Sequence, residues 1–350
     1  MLRSSAGVAL LASLVIAAGA GAYAALAAID QSQAFQSKFS GSCAPVAGIA
    51  GPEDLQIDDA TRRAFISSYD RSSGSEARGG VFVFSIDDPL NDAAWRDRTR
   101  GAPKKFEPMG LNFYDDGETR RLYVVNAATA SVELYDVSDG GDLKLLESFT
   151  ERRLTSPNDV VAIGPRSFYV TNDLAPGRES LLGRLQYFFR AATGRVFHFD
   201  GTAWKVGAEN LRFANGIALS PDGRRLYVTE TSGAALKVFE RETSSGALTA
   251  IKTVPLGVAV DNINVDRAGS LWIAARPGSI LPPNGPTGGR HAPSMILRYD
   301  DLAGAAAKPM PVFTDDGGNI SASTAAARVG STLLIGAPYE KKFLICSLPS

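Results

Sequence analysis

Six short apolar strands recur in one phase along this 350-residue chain, and that repeat limits the possible folds more than any single motif does. They are Phe65-Ile-Ser, Leu122-Tyr-Val-Val, Phe168-Tyr-Val-Thr, Leu226-Tyr-Val-Thr, Leu271-Trp-Ile-Ala and Leu333-Leu-Ile-Gly, spaced by 57, 46, 58, 45 and 62 residues. Each is followed by a further strand, such as Val81-Phe-Val-Phe, Val132-Glu-Leu-Tyr or Ile296-Leu-Arg-Tyr. Several of these end in acidic or glycine turns, Asp87-Asp88, Ser138-Asp-Gly-Gly141, Asp200-Gly201 and Asp300-Asp301. A period of 40–60 residues with several strands per unit predicts an all-β chain folded as a six-bladed β-propeller over residues 40–350. The 35 glycines and 19 prolines fit such a turn-rich design. A two-domain β-sandwich would also be all-β, but it does not call for six repeats in phase.

The N-terminus reads as a targeting segment. Met1-Leu-Arg3 is followed by an uncharged run from Ser4 to Ile29, rich in Ala, Leu and Val. Ala22-Tyr23-Ala24 and Ala25-Leu26-Ala27 are small-x-small cleavage candidates, and the run is also long enough to stay in a bilayer as an anchor. Residues 1–29 are therefore expected to be a signal peptide or a membrane anchor, with the remainder exported: secreted, periplasmic or anchored. An oxidising compartment suits the two cysteines. A Cys43–Cys346 bond would tie the ends of the chain together as circular closure requires; two separate buried thiols are the alternative.

Composition excludes several chemistries. With 36 Lys+Arg against 37 Asp+Glu the net charge is −1, so no broad basic surface for nucleic acid is implied. Two His and two Cys cannot build iron–sulfur clusters, CxxC redox sites or zinc cages of several His or Cys. No Gly-x-Ser-x-Gly elbow is present.

About 10 to 12 residues upstream of the repeated strands stand Glu53, Leu111, Asn158, Asn215, Asp261 and Ser321–Ser323. In a propeller this is where each innermost strand begins, so Glu53, Asn158, Asn215 and Asp261 are expected to converge on one channel mouth. Two carboxylates with two amide oxygens describe a hard-cation site, Ca²⁺ before Mg²⁺. Uncompensated carboxylates in a narrow channel would repel each other, and a bound ion would explain their coexistence. Asn and Asp as plain turn residues at strand starts are the structural alternative.

Three motifs then carry a family resemblance. Ser156-Pro-Asn-Asp-Val-Val-Ala-Ile-Gly-Pro165 with Phe168-Tyr-Val-Thr-Asn-Asp173, Phe213-Ala-Asn-Gly-Ile-Ala-Leu-Ser-Pro-Asp-Gly223 and Val260-Asp-Asn-Ile-Asn-Val265 resemble the paraoxonase/arylesterase family. The final stretch from Ser323 to Leu348, with Cys346, resembles that family's last blade. The resemblance implies a disulfide-closed, six-bladed propeller with two calcium ions. It implies that Glu53, Asn158, Asn215, Asp261 and Asn262 hold the catalytic ion, and that Asp54, Asp159 and the backbone carbonyl of Leu111 hold a structural one. The sequence departs from the family where active-site histidines are expected, carrying Met109, Ala127 and Arg276 instead. Met109 and Arg276 are thereby read as substrate-pocket positions. The two histidines, His198 and His291, lie elsewhere, and His198 alternates with Phe197 and Phe199 on a strand.

The resulting expectation is a calcium-dependent hydrolase of lactones or aryl esters. Asp261 is the first candidate for the base that activates water and Glu53 the second, as in the related gluconolactonase-like sugar lactonases. The alternative is a non-catalytic, calcium-stabilised propeller acting as a binding module. Ser180 to Ala192 places apolar residues at 181, 182, 185, 188, 189 and 192, one face of a helix with Arg184 and Arg190 off it. The segment is expected to be a lid over the pocket, with possible lipid contact through it and through the N-terminal segment. Asn319-Ile-Ser321 matches the N-glycosylation acceptor pattern.

Overall fold

The computed structural model describes residues 35–73, 79–89, 98–278, 291–301, 304 and 307–349. The segment read as signal or anchor lies outside them, and no helix among the described residues is long and apolar enough to cross a membrane.

The repeated strands are the second strands of six sheets arranged as the blades of a propeller, all antiparallel except that the two-residue strand Thr99–Arg100 joins the second blade parallel to Leu143–Thr150. Each repeated strand is buried on both sides, which explains its continuous apolar run. Side chains alternate along it, and successive residues enter different interfaces. Leu122 and Val124 pack toward the first blade, whereas Tyr123 and Val125 pack toward the third. Six apolar clusters result, one between every pair of neighbouring blades, including the pair formed by the last and the first. The recurring tyrosine also bridges blades through its hydroxyl. Tyr123 donates to the Gly164 carbonyl at 2.7 Å, and Tyr169 donates to that of Gly246 at 2.6 Å. The predicted acidic turns hold too: the Asp200 carboxylate accepts from the Thr202 and Ala203 amides, with Gly201 at φ +98° completing the hairpin.

Closure is made by exchange of the chain ends. Ser42–Ala47 is the outermost strand of the sixth blade, antiparallel to Lys342–Ser347, with Val46 opposite Phe343 and Cys43 opposite Cys346. The two cysteines form the expected disulfide. The first blade shows three strands among the described residues, Pro52–Asp58, Arg63–Ser68 and Gly80–Ser85.

Among the described residues one α-helix, Leu181–Phe188, interrupts the β pattern. It is capped by the Ser180 hydroxyl, which accepts from the Gly183 amide at 2.9 Å. The sequence periodicity reached Ala192, but the helix ends with Phe189 as its C-cap. Its buried residues are Gly183 and Tyr187, while the apolar residues at 181, 182, 185, 188 and 189 are exposed, from 45% at Leu185 to 77% at Leu181.

Candidate functional site

Five of the six innermost strands break register with the second strand at one shared place. The breaks fall between Pro52 and Leu55, Pro108 and Leu111, Pro157 and Val160, Ala214 and Ile217, and Val260 and Ile263. The two residues inside each bulge are Glu53-Asp54, Met109-Gly110, Asn158-Asp159, Asn215-Gly216 and Asp261-Asn262. A bulge frees two residues from the ladder and re-aims their side chains, so the fold delivers a ring of pairs to the channel.

The first member of each pair lines a single pocket of about 780 Å³ at one end of the channel: Glu53, Met109, Asn158, Asn215 and Asp261. Glu53 and Asp261 therefore share one mouth. Asn215 donates through Nδ2 to Thr231 Oγ1 at 2.9 Å. Asn262 donates to the Glu53 carbonyl at 3.3 Å and to Glu53 Oε1 at 3.2 Å. Asp261 Oδ2 pairs with Arg276 Nη2 at 2.9 Å, both groups being buried. Burial, reinforced by the Asp261 charge, pushes the Glu53 carboxyl up to about 7. Burial also raises Asp261, with Arg276 pulling the other way.

The second members form a deeper tier. Asp54 accepts from the Leu55 and Leu111 amides at 2.8 and 2.9 Å, and Asp159 from the Val160 and Ile217 amides at 2.7 and 2.8 Å. Burial raises both carboxyls, and each is raised further by a neighbouring carboxylate, Glu53 for Asp54 and Asp54 for Asp159. Gly110 and Gly216 hold the same position in the second and fourth blades, where a side chain would not fit. A Cβ on Gly110 would stand 2.2 Å from Asp159 Oδ1, and one on Gly216 would stand 2.7 Å from the Asn262 Cα.

Among the described residues, no three Asp, Glu, His or Cys side chains group as a metal cage; the converging set mixes carboxylates with amides. Four of its oxygens, Glu53 Oε2, Asn158 Oδ1, Asn215 Oδ1 and Asn262 Oδ1, are buried without a hydrogen-bond partner among those residues. Buried acceptors are ordinarily satisfied, so this donor set fits a hard cation.

Two sequence expectations shift in place. Leu111 does not occupy the Glu53 position in its blade; Met109 does. The Leu111 side chain packs between the first two blades and its amide serves Asp54. The hairpin that follows is longer than the others (Leu111 lies opposite Val124, Leu55 opposite Ile66), so counting back from the apolar run lands on the wrong residue. In the sixth blade Ser323 is turned away, its amide bonded to Ser294 Oγ, and Thr324 reaches the pocket instead, donating to the Glu53 carbonyl at 2.8 Å. Sequence reading also missed Arg178. It pairs with buried Asp173 at 2.7 Å, donates to Ser156 Oγ and the Pro157 carbonyl, and lies 3.3 Å from Met109 Sδ. Tyr187 and Phe188 bring the helix to the pocket wall. His198 is a packing residue, buried and stacked on Tyr169 with ring centroids 4.5 Å apart.

Six blades around a mouth of carboxylate and amide oxygens make a six-bladed β-propeller, a fold shared with solved proteins of low sequence identity. A solved gluconolactonase from Xanthomonas campestris superposes with a TM-score of 0.55 at 16% identity, covering 91% of this chain and 96% of that one. A luciferin-regenerating enzyme shares the fold at a TM-score of 0.51 and 13% identity, over 88% and 95% of the two chains. More specifically, the chain belongs to the arylesterase family, whose sequence profile matches residues 63–348. Human serum paraoxonase/arylesterase 1 is 30% identical over 328 residues, 88% of this chain and 89% of the human protein. Membership makes the protein an enzyme of the carboxylic-ester hydrolase class.

Proposed function

We propose that the protein hydrolyses lactones and aryl esters at the channel mouth, using calcium. Glu53, Asn158, Asn215, Asp261 and Asn262 would hold the catalytic ion, and Asp54, Asp159 and the Leu111 carbonyl a structural one. The observation that carries this reading is the set of four buried, unpartnered oxygens, Glu53 Oε2, Asn158 Oδ1, Asn215 Oδ1 and Asn262 Oδ1, delivered by four different blades. A calcium ion there would supply a Lewis acid that polarises the ester carbonyl and offsets the charge developing on its oxygen. The remaining steps belong to the chain. Arg276 orients the Asp261 carboxylate. Asp261 takes the proton of a water whose oxygen attacks the acyl carbon; the acyl–oxygen bond breaks and the proton passes to the leaving oxygen. Burial raises the basicity of Asp261 above that of an exposed carboxylate, which this step needs in the absence of a histidine. Tyr187, Phe188 and Met109 supply an apolar wall for the substrate and limit water at the mouth.

The exposed leucines and phenylalanines of the helix, flanked by exposed Arg184 and Arg190, favour contact with a lipid surface beside the pocket. Export to an oxidising compartment is supported by the Cys43–Cys346 bond. The second reading, a calcium-stabilised binding module without turnover, is favoured by one observation: neither His198 nor His291 lines the mouth.

The test is a panel of lactones and aryl esters assayed with and without chelator. Hydrolysis is expected, abolished by EDTA and restored by calcium. Calcium-loaded, folded protein that turns over nothing would move the case to the binding module. Asp261→Asn is expected to lower kcat by about 10²-fold or more. An unchanged kcat would transfer the base to Glu53.

A further inference from the structure

One buried cation at the pocket is only half used. Arg276 closes the strand Leu271–Arg276, is 5% exposed, and lines the same mouth as Glu53 and Asp261. Its Nη2 is engaged by Asp261, but Nε and Nη1 are buried with no acceptor among the described residues. Residues 279–290, which follow, contain no Asp or Glu. The other guanidinium groups lining the pocket are engaged. Arg178 serves Asp173, Ser156 and Pro157. Arg71 donates to the Pro338 carbonyl and sits over the Tyr69 ring, and Arg184 pairs with Glu179. Among the described residues, Arg276 alone combines burial, a place in the pocket wall and two donors without an acceptor.

Charge makes the case sharper. A divalent ion held by Glu53 and Asp261 would draw on both carboxylates, so the Asp261 charge would no longer answer Arg276 alone. A buried guanidinium with spare planar N–H donors is matched by a carboxylate more closely than by a neutral oxygen. Tyr187, from the helix above, lines the same pocket and packs edge-on against Phe213, so a group bound at Arg276 would lie under the lid.

We propose that Arg276 is a specificity residue that binds a carboxylate carried by the substrate, so that the preferred substrates are anionic, such as monoaryl esters of dicarboxylic acids or carboxylate-bearing lactones. This rests on the ester-hydrolase reading above and narrows its substrate class.

Two measurements on the calcium-loaded full chain test it. The first is calorimetric titration with glutarate and with valerate, which differ by one terminal carboxylate. Wild type is expected to bind glutarate at least 10-fold more tightly, Arg276→Gln to reduce that ratio to about 2-fold or less, and Arg276→Lys, which keeps a cation beside Asp261, to fall between. The second is kcat/KM for monoaryl glutarate relative to aryl valerate, a ratio from which any loss common to both substrates cancels. Wild type is expected to favour the anionic ester 10-fold or more, mainly through KM, and Arg276→Gln to lose that preference. Equal binding of the two acids by wild type, or a preference that survives in Arg276→Gln, overturns the proposal. Failure to hydrolyse any ester would defeat the hydrolase reading, while the titration would still decide whether Arg276 holds a carboxylate. Turnover without preference would defeat the specificity role alone.

Discussion

Gly110 and Gly216 shape the channel as much as the acids beside them, because each leaves room that a neighbouring blade fills. Asp159 cannot step aside for a methyl group at Gly110, since the Val160 and Ile217 amides pin both its oxygens. Gly110→Ala is therefore expected to weaken calcium binding and to cost about 1–3 kcal/mol of stability through overpacking. Calcium titration and thermal melting of the variant would check this, and wild-type values in both would mean the deep tier is looser than its hydrogen bonds suggest. At this scale the sequence was largely legible. Pro52-Glu-Asp-Leu, Pro157-Asn-Asp-Val, Ala214-Asn-Gly-Ile and Val260-Asp-Asn-Ile share one pattern of oxygen-bearing residue, second residue and apolar residue. Pro108-Met-Gly-Leu belongs to the same series. It was misread at Leu111 because the pattern lacks an oxygen there and a longer hairpin shifts the count. The Arg276–Asp261 pair had no local signal because its spacing follows hairpin geometry, and the Arg178–Asp173 pair had none because it closes the loop between the strand ending at Asn172 and the helix, where no strand or helical period applies.

Among the elements, the bulged inner strand and the helix Leu181–Phe188 do the functional work. Alternation predicts strands well, yet it says nothing about where two residues slip out of the ladder, and that slip aims the site. The helix shows a different limit. Its apolar stripe was visible in the sequence, but periodicity marks a face without saying what the face meets. Here Gly183 and Tyr187 turn inward and the stripe is left outside, with Phe189 72% exposed. If that stripe meets lipid, Leu182→Ser with Phe189→Ser should remove most cosedimentation with phosphatidylcholine vesicles while leaving the thermal melt near wild type. Equal sedimentation of variant and wild type would rule out the helix as the contact.

For the molecule as a whole, stability is distributed around a ring. Each blade buries its second strand only because both neighbours are present, and the interface between the sixth and first blades rests on a strand borrowed from the start of the chain. The six repeats made that architecture readable without any motif, and the cysteines at the two ends made its closure readable. What repeats could not convey was the curvature that brings five bulges to a common axis. The disulfide spans 303 residues, a loop long enough for cross-linking to contribute about 4–5 kcal/mol. Cys43→Ser with Cys346→Ser is expected to lower Tm by roughly 10 °C. A drop of less than about 2 °C would show that strand pairing fastens the ring unaided.

Sharing the last blade between the two ends has a consequence for biosynthesis. Because Ser42–Ala47 pairs with Lys342–Ser347, a ribosome that has produced five blades has produced an open arc whose first-made strand still lacks its partner. Vectorial, blade-by-blade maturation cannot finish early: the oxidant that joins the thiols acts only after the final strand is released, and every shorter nascent chain presents an unzipped edge to chaperones and proteases.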